Sequence, residues 1–481
     1  MKKLYTLSVI YLLLPYLIFL LTWLKPEIGI LFFTITVIGL IFNHNIYVKN
    51  ILTDKIKFDK KDHFYILLIS AFLCFFTGVE GTIPQVGDYW AHNSKLYTLY
   101  SYKWPIIPPE VDTFLCYYWG TFLVPALLSK FSNEFLPLYS TLWTFIGCYL
   151  CIYWFYINLN KKGYLLIVFL CLGGLSGYVI YFFGDPETNF LFGILLNANY
   201  LQLLIVPNQF IPTFLIAGIF IYVVANKCNL CILMVPICSC FFWAVFPTLF
   251  LCFIYTLTVL YSIFFQNQKL SYKILFFHIL VSSSFIPLVF YYQSSSSAGN
   301  LSFVFSTILR LKTLKDTYQY FIMESLIFFI CFFLLKRSAS SKISWYFILI
   351  LFFASFSFSL FKSGKNNDLF LRTSMATYIF FSYAIVHLIA ENFKLFFKNP
   401  TYFIIPILIV HLYYFWGHIK QNVTVVITQN ISKNNKLIDK TPYNLYPNIY
   451  QTLKNKYSDD EARQYLGNKN SIFYKFMMKK D

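Results

Sequence analysis

Long apolar segments separated by short polar loops run through most of this chain. A helix that spans a membrane needs about 20 mostly apolar residues, because in lipid its backbone groups must bond to one another. The pattern predicts about thirteen such helices. Their approximate bounds are 4–24, 28–42, 64–79, 135–159, 164–182, 207–225, 230–242, 245–265, 274–292, 321–335, 343–361, 371–390 and 402–416.

The predicted fold is therefore all-α, a polytopic transmembrane helix bundle with an interfacial helical outer loop and a short polar C-terminal tail. Its four parts are a transmembrane hairpin plus third span (1–78), the outer loop (79–134), the main bundle (135–416) and the tail (417–481). No small-residue cleavage site precedes Lys25, so we expect the first span to stay uncleaved.

The distribution of Lys and Arg predicts which side each loop faces. With the N-terminus in the cytoplasm, the inner segments carry about twice as many Lys and Arg as the short outer loops. Residues 114–131 are apolar enough to span, but spanning would move Lys161, Lys162 and the Lys336-Arg337 pair outside. We therefore expect 114–131 to lie in or dip into the outer interface.

Composition agrees with a membrane protein and excludes a disordered chain. Of 481 residues, 58% are hydrophobic and only 12% are charged, too few to cover the surface of one soluble domain. The net charge of +18 would suggest nucleic acid in a soluble protein, but here it follows membrane topology, so we predict no nucleic-acid partner. Most of the 11 cysteines lie in apolar segments, where Cys acts as a small hydrophobe, and we predict no metal-ligand set.

The outer loop contains the first candidate site. Asp88 and His92 are four residues apart and share one helical face, and Asn93 and Lys95 follow within the same two turns. Asp, His and Lys in such proximity can carry out acid–base chemistry or hold a phosphate or a metal. The alternative is an interfacial amphipathic helix whose polar side simply faces water.

Asn208 and Gln209 form a second candidate site at the start of an apolar helix. Carboxamides can both donate hydrogen bonds to sugar hydroxyls and accept them. The alternative is helix capping, since Pro207 and Asn208 are residue types that commonly begin helices. A Gly-Asp-Pro sequence at 184–186 lies on the same predicted face, and we interpret it as a turn.

Arg372, at the start of a predicted span, is the third candidate. A cation within the membrane usually marks function, and the guanidinium fork matches a phosphate. The alternative is an Asp368–Arg372 pair that only anchors the helix. Glu324 lies about one turn inside another predicted span, and we include it as a weaker substrate-binding candidate.

Several short motifs resemble those of the GT-C-type glycosyltransferases, polytopic enzymes that use polyprenyl-phosphate sugars, and in particular bacterial members of that superfamily. The resemblance covers most of the chain. It is carried by Gly87-Asp88-Tyr89-Trp90-Ala91-His92-Asn93, Trp104-Pro105, Tyr117-Tyr118-Trp119-Gly120, Pro207-Asn208-Gln209, Trp243-Ala244-Val245-Phe246-Pro247, Asn367-Asp368-Leu369-Phe370-Leu371-Arg372 and Gln464-Tyr465-Leu466-Gly467.

The resemblance implies sugar transfer from a polyprenyl-phosphate donor to an envelope glycan or lipid acceptor, in the bacterial plasma membrane and on its extracytoplasmic face. Asp88 would be the catalytic acidic residue and Arg372 would neutralise the leaving lipid phosphate, while Asn208 and Gln209 would position sugar hydroxyls. His92 would orient Asp88, bind phosphate or help hold a divalent metal, and these three roles stay open. The aromatic-rich spans would provide a groove for the polyprenyl chain and contacts for membrane lipids.

Three other classes of protein remain as alternatives. A transporter or flippase of lipid-linked glycans needs the same anionic-lipid site without a catalytic base, although no internal repeat is visible in the sequence. A polymerase or ligase of such glycans also works on the outer face. A purely structural protein would explain neither Arg372 nor the shared depth of the polar clusters.

Overall fold

The computed structural model describes a large part of the chain. The described residues are 1–48, 58–81, 83, 85, 88–173, 199–266, 272–296, 301–303, 329, 332–333, 344–363, 368–391, 413, 416–417, 419–420 and 441–480. Glu324, the turn at 184–186 and most of the predicted spans 321–335 and 402–416 lie outside them.

Helices make up almost all of the described structure. They are α1 (Lys2–Trp23), α2 (Pro26–Asn43), α3 (Lys60–Phe76), α4 (Tyr89–Ser101), α5 (Gly120–Phe131), α6 (Leu138–Asn158), α7 (Gly163–Cys171), α8 (Asn199–Ile205), α9 (Pro207–Ala225), α10 (Met234–Cys240), α11 (Val245–Phe265), α12 (Tyr272–Ser284), α13 (Ile286–Gln293), α14 (Trp345–Ser359), α15 (Asp368–Glu391), α16 (Ile449–Lys456) and α17 (Asp459–Arg463).

Short non-α elements connect some of these helices. A 3₁₀ turn covers Val79–Gly81 and another, Leu230–Leu233, leads directly into α10. Wider π turns cover His44–Val48 and Phe473–Met477. One antiparallel pair joins strands β1 (Leu301–Phe303) and β2 (Phe361–Ser363).

Six described helices are long and apolar enough to cross a membrane, which makes this a helical membrane protein. Their bounds are Lys2–Trp23, Pro26–Ile46, Leu138–Asn158, Pro207–Ala225, Val245–Phe265 and Arg372–Glu391. The pair α12 and α13, bent by 41°, would be a seventh if it forms one span. The predicted count of about thirteen is not reached within the described residues, partly because α10 and α14 are shorter than a full span.

Helix α1 packs in the interior of the bundle and accepts hydrogen bonds from α6 and from the turn before α11. The indole Nε1 of Trp154 donates to Ser8 Oγ at 3.0 Å, and Trp243 Nε1 donates to the carbonyl oxygen of Leu12 at 2.8 Å. Side-chain polar groups inside a bundle need such partners because lipid offers none. These bonds fix the depth of two large aromatic side chains against α1.

The helix ends form two groups, at opposite ends of the bundle. At the first, here called the site end, Lys479 N donates to Trp23 O at 2.8 Å and Thr121 Oγ1 donates to Asn208 O at 3.3 Å. At the opposite end, Lys161 Nζ lies 2.9 Å from an oxygen of Asp62. In the predicted orientation, with the start of α1 in the cytoplasm, the site end faces outward.

The segment that precedes α5 begins at the site end of the bundle, and α5 ends at that same end. Cys116 N donates to the carbonyl oxygen of Tyr465 at 2.8 Å, and at the other end of α5 Lys130 Nζ donates to the carbonyl oxygens of Tyr100 and Tyr102 at 2.7 and 2.8 Å. A 12-residue helix is about 18 Å long, against roughly 30 Å of hydrocarbon. This geometry agrees with a segment that dips into one face of a membrane.

Candidate functional site

Helix α4 positions three of the predicted site residues and begins directly after a fourth. Asp88 precedes α4, and its carbonyl oxygen accepts from the amides of Ala91 and His92. Its side chain makes no capping hydrogen bond and is exposed to solvent. A carboxylate at a helix start often accepts hydrogen bonds from the first free amides. Because the Asp88 carboxylate does not do so here, it remains available to a ligand.

His92 lies on α4 with its imidazole buried. Its Nε2 is 3.3 Å from the carbonyl oxygen of Ile205, which can only accept, so Nε2 carries the proton. Burial, together with the charges of Lys95 and Arg372, lowers the pKa of His92 to about 3, so the ring is neutral near pH 7. Its Nδ1 is a buried acceptor with no hydrogen-bond donor among the described residues.

Asn93 is also buried, but its amide binds protein groups. Nδ2 donates to Gln85 Oε1 at 3.0 Å and to the carbonyl oxygen of Thr441 at 2.7 Å. The amide N of Thr441 in turn donates to Gln85 Oε1 at 2.9 Å. These bonds tie residue 441 to α4, and the substrate-binding role predicted for Asn93 remains a prediction.

Lys95 is 2% exposed and is surrounded by aromatic rings. Its ammonium nitrogen lies 4.3 Å from the ring centroid of Tyr117, 5.4 Å from that of Tyr465 and 5.7 Å from that of Phe122. Burial and the charge of Arg372 lower the pKa of Lys95 to about 7, while the charge of Asp88 opposes that shift. Lys95 therefore changes charge near neutral pH.

Arg372 lies in the first turns of α15 and is half-buried. Its charge contributes to the low pKa values of both His92 and Lys95, so Arg372 lies within electrostatic range of these two side chains of α4. The structure thus brings Asp88, His92, Lys95 and Arg372 together from two distant parts of the sequence, and this group is here called the α4–α15 cluster. Asp368 begins α15, but its side chain lies outside the described part of the chain.

Asn208 and Gln209, at the start of α9, are both buried at the site end. Gln209 Nε2 donates to the Tyr118 hydroxyl at 3.0 Å, which connects α9 to the aromatic residues around Lys95. Asn208 Oδ1 is buried and, within the described ranges, has no hydrogen-bond donor. A buried acceptor without a partner is costly, so this position suits a ligand that brings a donor.

The sequence pattern did not identify Tyr117, Tyr118 and Tyr465 as site residues. Tyr118 and Tyr465 stack on Tyr117, with ring centroids 3.8 and 4.0 Å from that of Tyr117. Aromatic residues make up 22% of the chain, so hydropathy alone cannot single these three out. The available signal was local, since all three belong to the short motifs that carry the GT-C resemblance.

A metal site is not evident in the described residues. No group of three or more His, Cys, Asp or Glu side chains among them could hold a metal ion. Within the α4–α15 cluster, Asp88 and His92 would be two candidate metal ligands. The cluster contains two basic side chains, Lys95 and Arg372, and one exposed carboxylate, Asp88, and basic side chains of this kind can bind an anion.

Comparison of the chain with protein-family models, with curated proteins and with solved structures gives no match.

Proposed function

We propose that this protein is an integral membrane glycosyltransferase of the GT-C type, which transfers a sugar from a polyprenyl-phosphate donor to an acceptor on the extracytoplasmic face of a membrane. The observation that carries the proposal is the α4–α15 cluster. The charges of its exposed carboxylate, Asp88, and of Arg372 both act on the buried Lys95 at one end of a transmembrane bundle. A lipid-phosphate sugar requires an anion site and a proton acceptor in that proximity.

The two cations suit the phosphate of the donor. Among the side chains that the structure describes, which do not include that of Asp368, no carboxylate forms an ion pair with Lys95 or Arg372. A cation removed from water without a counter-ion is unfavourable, so a bound phosphate would stabilise both. Arg372 offers a planar fork for two phosphate oxygens, whereas Lys95 offers a compact charge.

The unpaired acceptors suit the sugar. His92 Nδ1 and Asn208 Oδ1 are buried and lack donors in the described structure. Both residues contact α5, because His92 stacks on Phe122 and the carbonyl oxygen of Asn208 accepts a hydrogen bond from Thr121. Sugar hydroxyls can donate to such acceptors, which gives His92 a binding role as a neutral imidazole.

The reaction we propose is a single displacement at the anomeric carbon. The acceptor oxygen forms a bond to that carbon as the bond from carbon to the phosphate oxygen breaks, and the acceptor's proton passes to Asp88. Negative charge grows on the departing lipid phosphate, where Arg372 and Lys95 stabilise it. The aromatic-rich spans support a groove for the polyprenyl chain.

The proposal also includes a total of about thirteen spans, a site end that faces outward and a location in the plasma membrane of a bacterium. The support for the orientation is the excess of Lys and Arg in the loops of the opposite end.

The test is sugar transfer by purified protein in proteoliposomes, with a panel of radiolabelled polyprenyl-phosphate hexoses as donors. Asp88→Asn should lower transfer by about 10²-fold or more, because general-base catalysis contributes about 10²–10⁴-fold. Asp112→Asn is the matched control, since Asp112 is an exposed carboxylate of the same loop that pairs with Lys469. Unchanged transfer by Asp88→Asn would contradict the proposal.

The same assay separates a flippase from a transferase. A flippase would move the lipid-linked sugar across the bilayer intact, so no free polyprenyl phosphate would be released. Release of polyprenyl phosphate in proportion to the sugar transferred is the result that we expect.

A further inference from the structure

Residues 441–480, here called the C-terminal segment, pack onto the loop that precedes α5. Gly467 N donates to the carbonyl oxygen of Phe114 at 2.8 Å, and Leu466 pairs with Leu115 through an antiparallel bridge. The segment also contacts α4, where Ser94 Oγ and Thr452 Oγ1 lie 2.7 Å apart. These contacts place the chain around residue 465 beside the α4–α15 cluster.

One side chain of this segment reaches the surroundings of Lys95. The Tyr465 ring is nearly buried and stacks on Tyr117 with an interplanar angle of 15°. Tyr118 stacks on Tyr117 as well, and Gln209 holds its hydroxyl. Lys95 Nζ lies nearer to the ring centroids of Tyr117 and Tyr465, at 4.3 and 5.4 Å, than to that of Tyr118, at 6.0 Å.

We propose that Tyr465 is a positioning residue of the anion site: its ring packs on Tyr117 and completes the aromatic enclosure that keeps the Lys95 ammonium out of water and close to Asp88 and Arg372. This inference rests on the proposed function for its biological meaning, since the anion that Lys95 awaits is the donor phosphate. The contact itself can be tested in the resting protein without any donor.

The physical reason is the dielectric environment of Lys95. An ammonium surrounded by rings gains some cation–π attraction but loses its hydration, and burial penalises the charged form. The charged or titratable groups that face it are Asp88 and His92 from α4, Arg372 from α15, and Tyr117, Tyr118 and Tyr465. Of these, only Asp88 is a carboxylate, and it is exposed.

Removal of the Tyr465 ring should therefore admit water to Lys95. Burial lowers the pKa of Lys95 to about 7 in the intact enclosure, against an ordinary value of 10.5. With water present, the penalty on the ammonium falls and the pKa rises. Phe at 465 keeps the ring and should keep the low pKa, although it lacks the hydroxyl.

The experiment is competitive acetylation of the purified full-length protein in detergent by trace acetic anhydride from pH 5.5 to 10.5. Peptide mass spectrometry follows Lys95, and Lys454, an exposed lysine of the C-terminal segment, serves as the internal reference. The pH at half-maximal reactivity is independent of the absolute accessibility of each amine. We expect a midpoint near 7 for Lys95 in the wild type and in Tyr465→Phe.

In Tyr465→Ala the midpoint should rise by at least about one pH unit, because desolvation is the largest cause of the shift. Phe476→Ala, which removes an exposed aromatic ring from the same segment, should leave it unchanged. Tyr465→Val replaces Tyr465→Ala if the latter does not purify as a monodisperse protein. A wild-type midpoint near 10, or equal midpoints in the wild type and in the folded ring-less variant, would overturn the inference.

The acetylation midpoints and the sugar-transfer assay together separate this inference from the proposed function. A shifted Lys95 midpoint in Tyr465→Ala supports the positioning role even if no polyprenyl-phosphate sugar is transferred. Conversely, full transfer activity with an unshifted midpoint would support the enzyme and overturn the role of Tyr465.

Discussion

The ammonium nitrogen of Lys95 lies 4.3 Å from the centre of the Tyr117 ring and forms no ion pair with a carboxylate of the described residues. A buried lysine held by aromatic rings is unfavourable for stability, because the loss of hydration exceeds the cation–π attraction. A buried ammonium with this unfavourable effect, at the end of a membrane bundle, is expected where an anionic ligand binds.

The stability of the protein should depend on pH through Lys95. Its pKa is about 7 in the folded protein, against 10.5 ordinarily, so the unfolded chain binds this proton more tightly. Between pH 7 and about 10, the folded protein has released a proton that the unfolded chain retains, and the free energy of unfolding therefore rises with pH. Below pH 7 Lys95 is protonated in both states, so the free energy of unfolding no longer changes with pH through Lys95 and has lost the increase gained at higher pH.

The matched variant is Lys95→Met, which keeps an unbranched apolar side chain and removes the charge. The melting temperature in detergent should increase from pH 7 to 9.5 in the wild type relative to Lys95→Met. At pH 7 the variant should be at least as stable as the wild type, since it buries no ammonium. Parallel curves for the two proteins would show that Lys95 titrates normally.

Gly120, the first residue of α5, should tolerate no side chain. A Cβ atom there would lie 2.6 Å from Trp243 Cγ and 2.9 Å from the Trp243 Cα, which belongs to the backbone. Gly120→Ala should cost about 1–3 kcal/mol, typical of overpacking, and lower the melting temperature. Gly39→Ala is the control, because a Cβ on that helical glycine would have one neighbour, at 3.4 Å, and should be neutral or slightly stabilising.

The two ends of the bundle should be accessible from opposite sides of the membrane. Asn470 is exposed at the site end, and Lys61 is exposed at the end where Asp62 binds Lys161. In a Cys228→Ser background, Asn470→Cys should react with a membrane-impermeant maleimide in intact cells. Lys61→Cys should react only after permeabilisation. The reverse pattern would invert the orientation and contradict an extracytoplasmic site.

The hydropathy pattern predicted the bounds of some individual helices correctly. The described bounds of α9 and α11, Pro207–Ala225 and Val245–Phe265, coincide with the predicted ones. The pattern predicted one span over 274–292 and did not predict the bend between α12 and α13, which directly follows Ser282-Ser283-Ser284. It also could not show that Leu230–Leu233 is a 3₁₀ turn, since hydropathy does not distinguish 3₁₀ from α-helix.

The candidate site could be predicted in part. The i, i+4 spacing placed Asp88 and His92 on one helix start, but it could not show that Asp88 is exposed while the His92 ring is buried and neutral. Burial depends on tertiary contacts, here with Ile205 and Phe122. The same holds for Tyr465, whose contact with Tyr117 depends on how the C-terminal segment packs and leaves no periodic trace in the sequence.

The most direct measurement of the central claim is photo-cross-linking of the purified protein with a diazirine-bearing farnesyl phosphate, followed by peptide mapping. We predict that the label falls on peptides from Tyr89–Ser101 and from the start of α15, and that Arg372→Ala abolishes it while Arg372→Lys restores it only in part. Label confined to peptides of the opposite end, or unchanged in Arg372→Ala, would contradict an anionic-lipid site at the α4–α15 cluster.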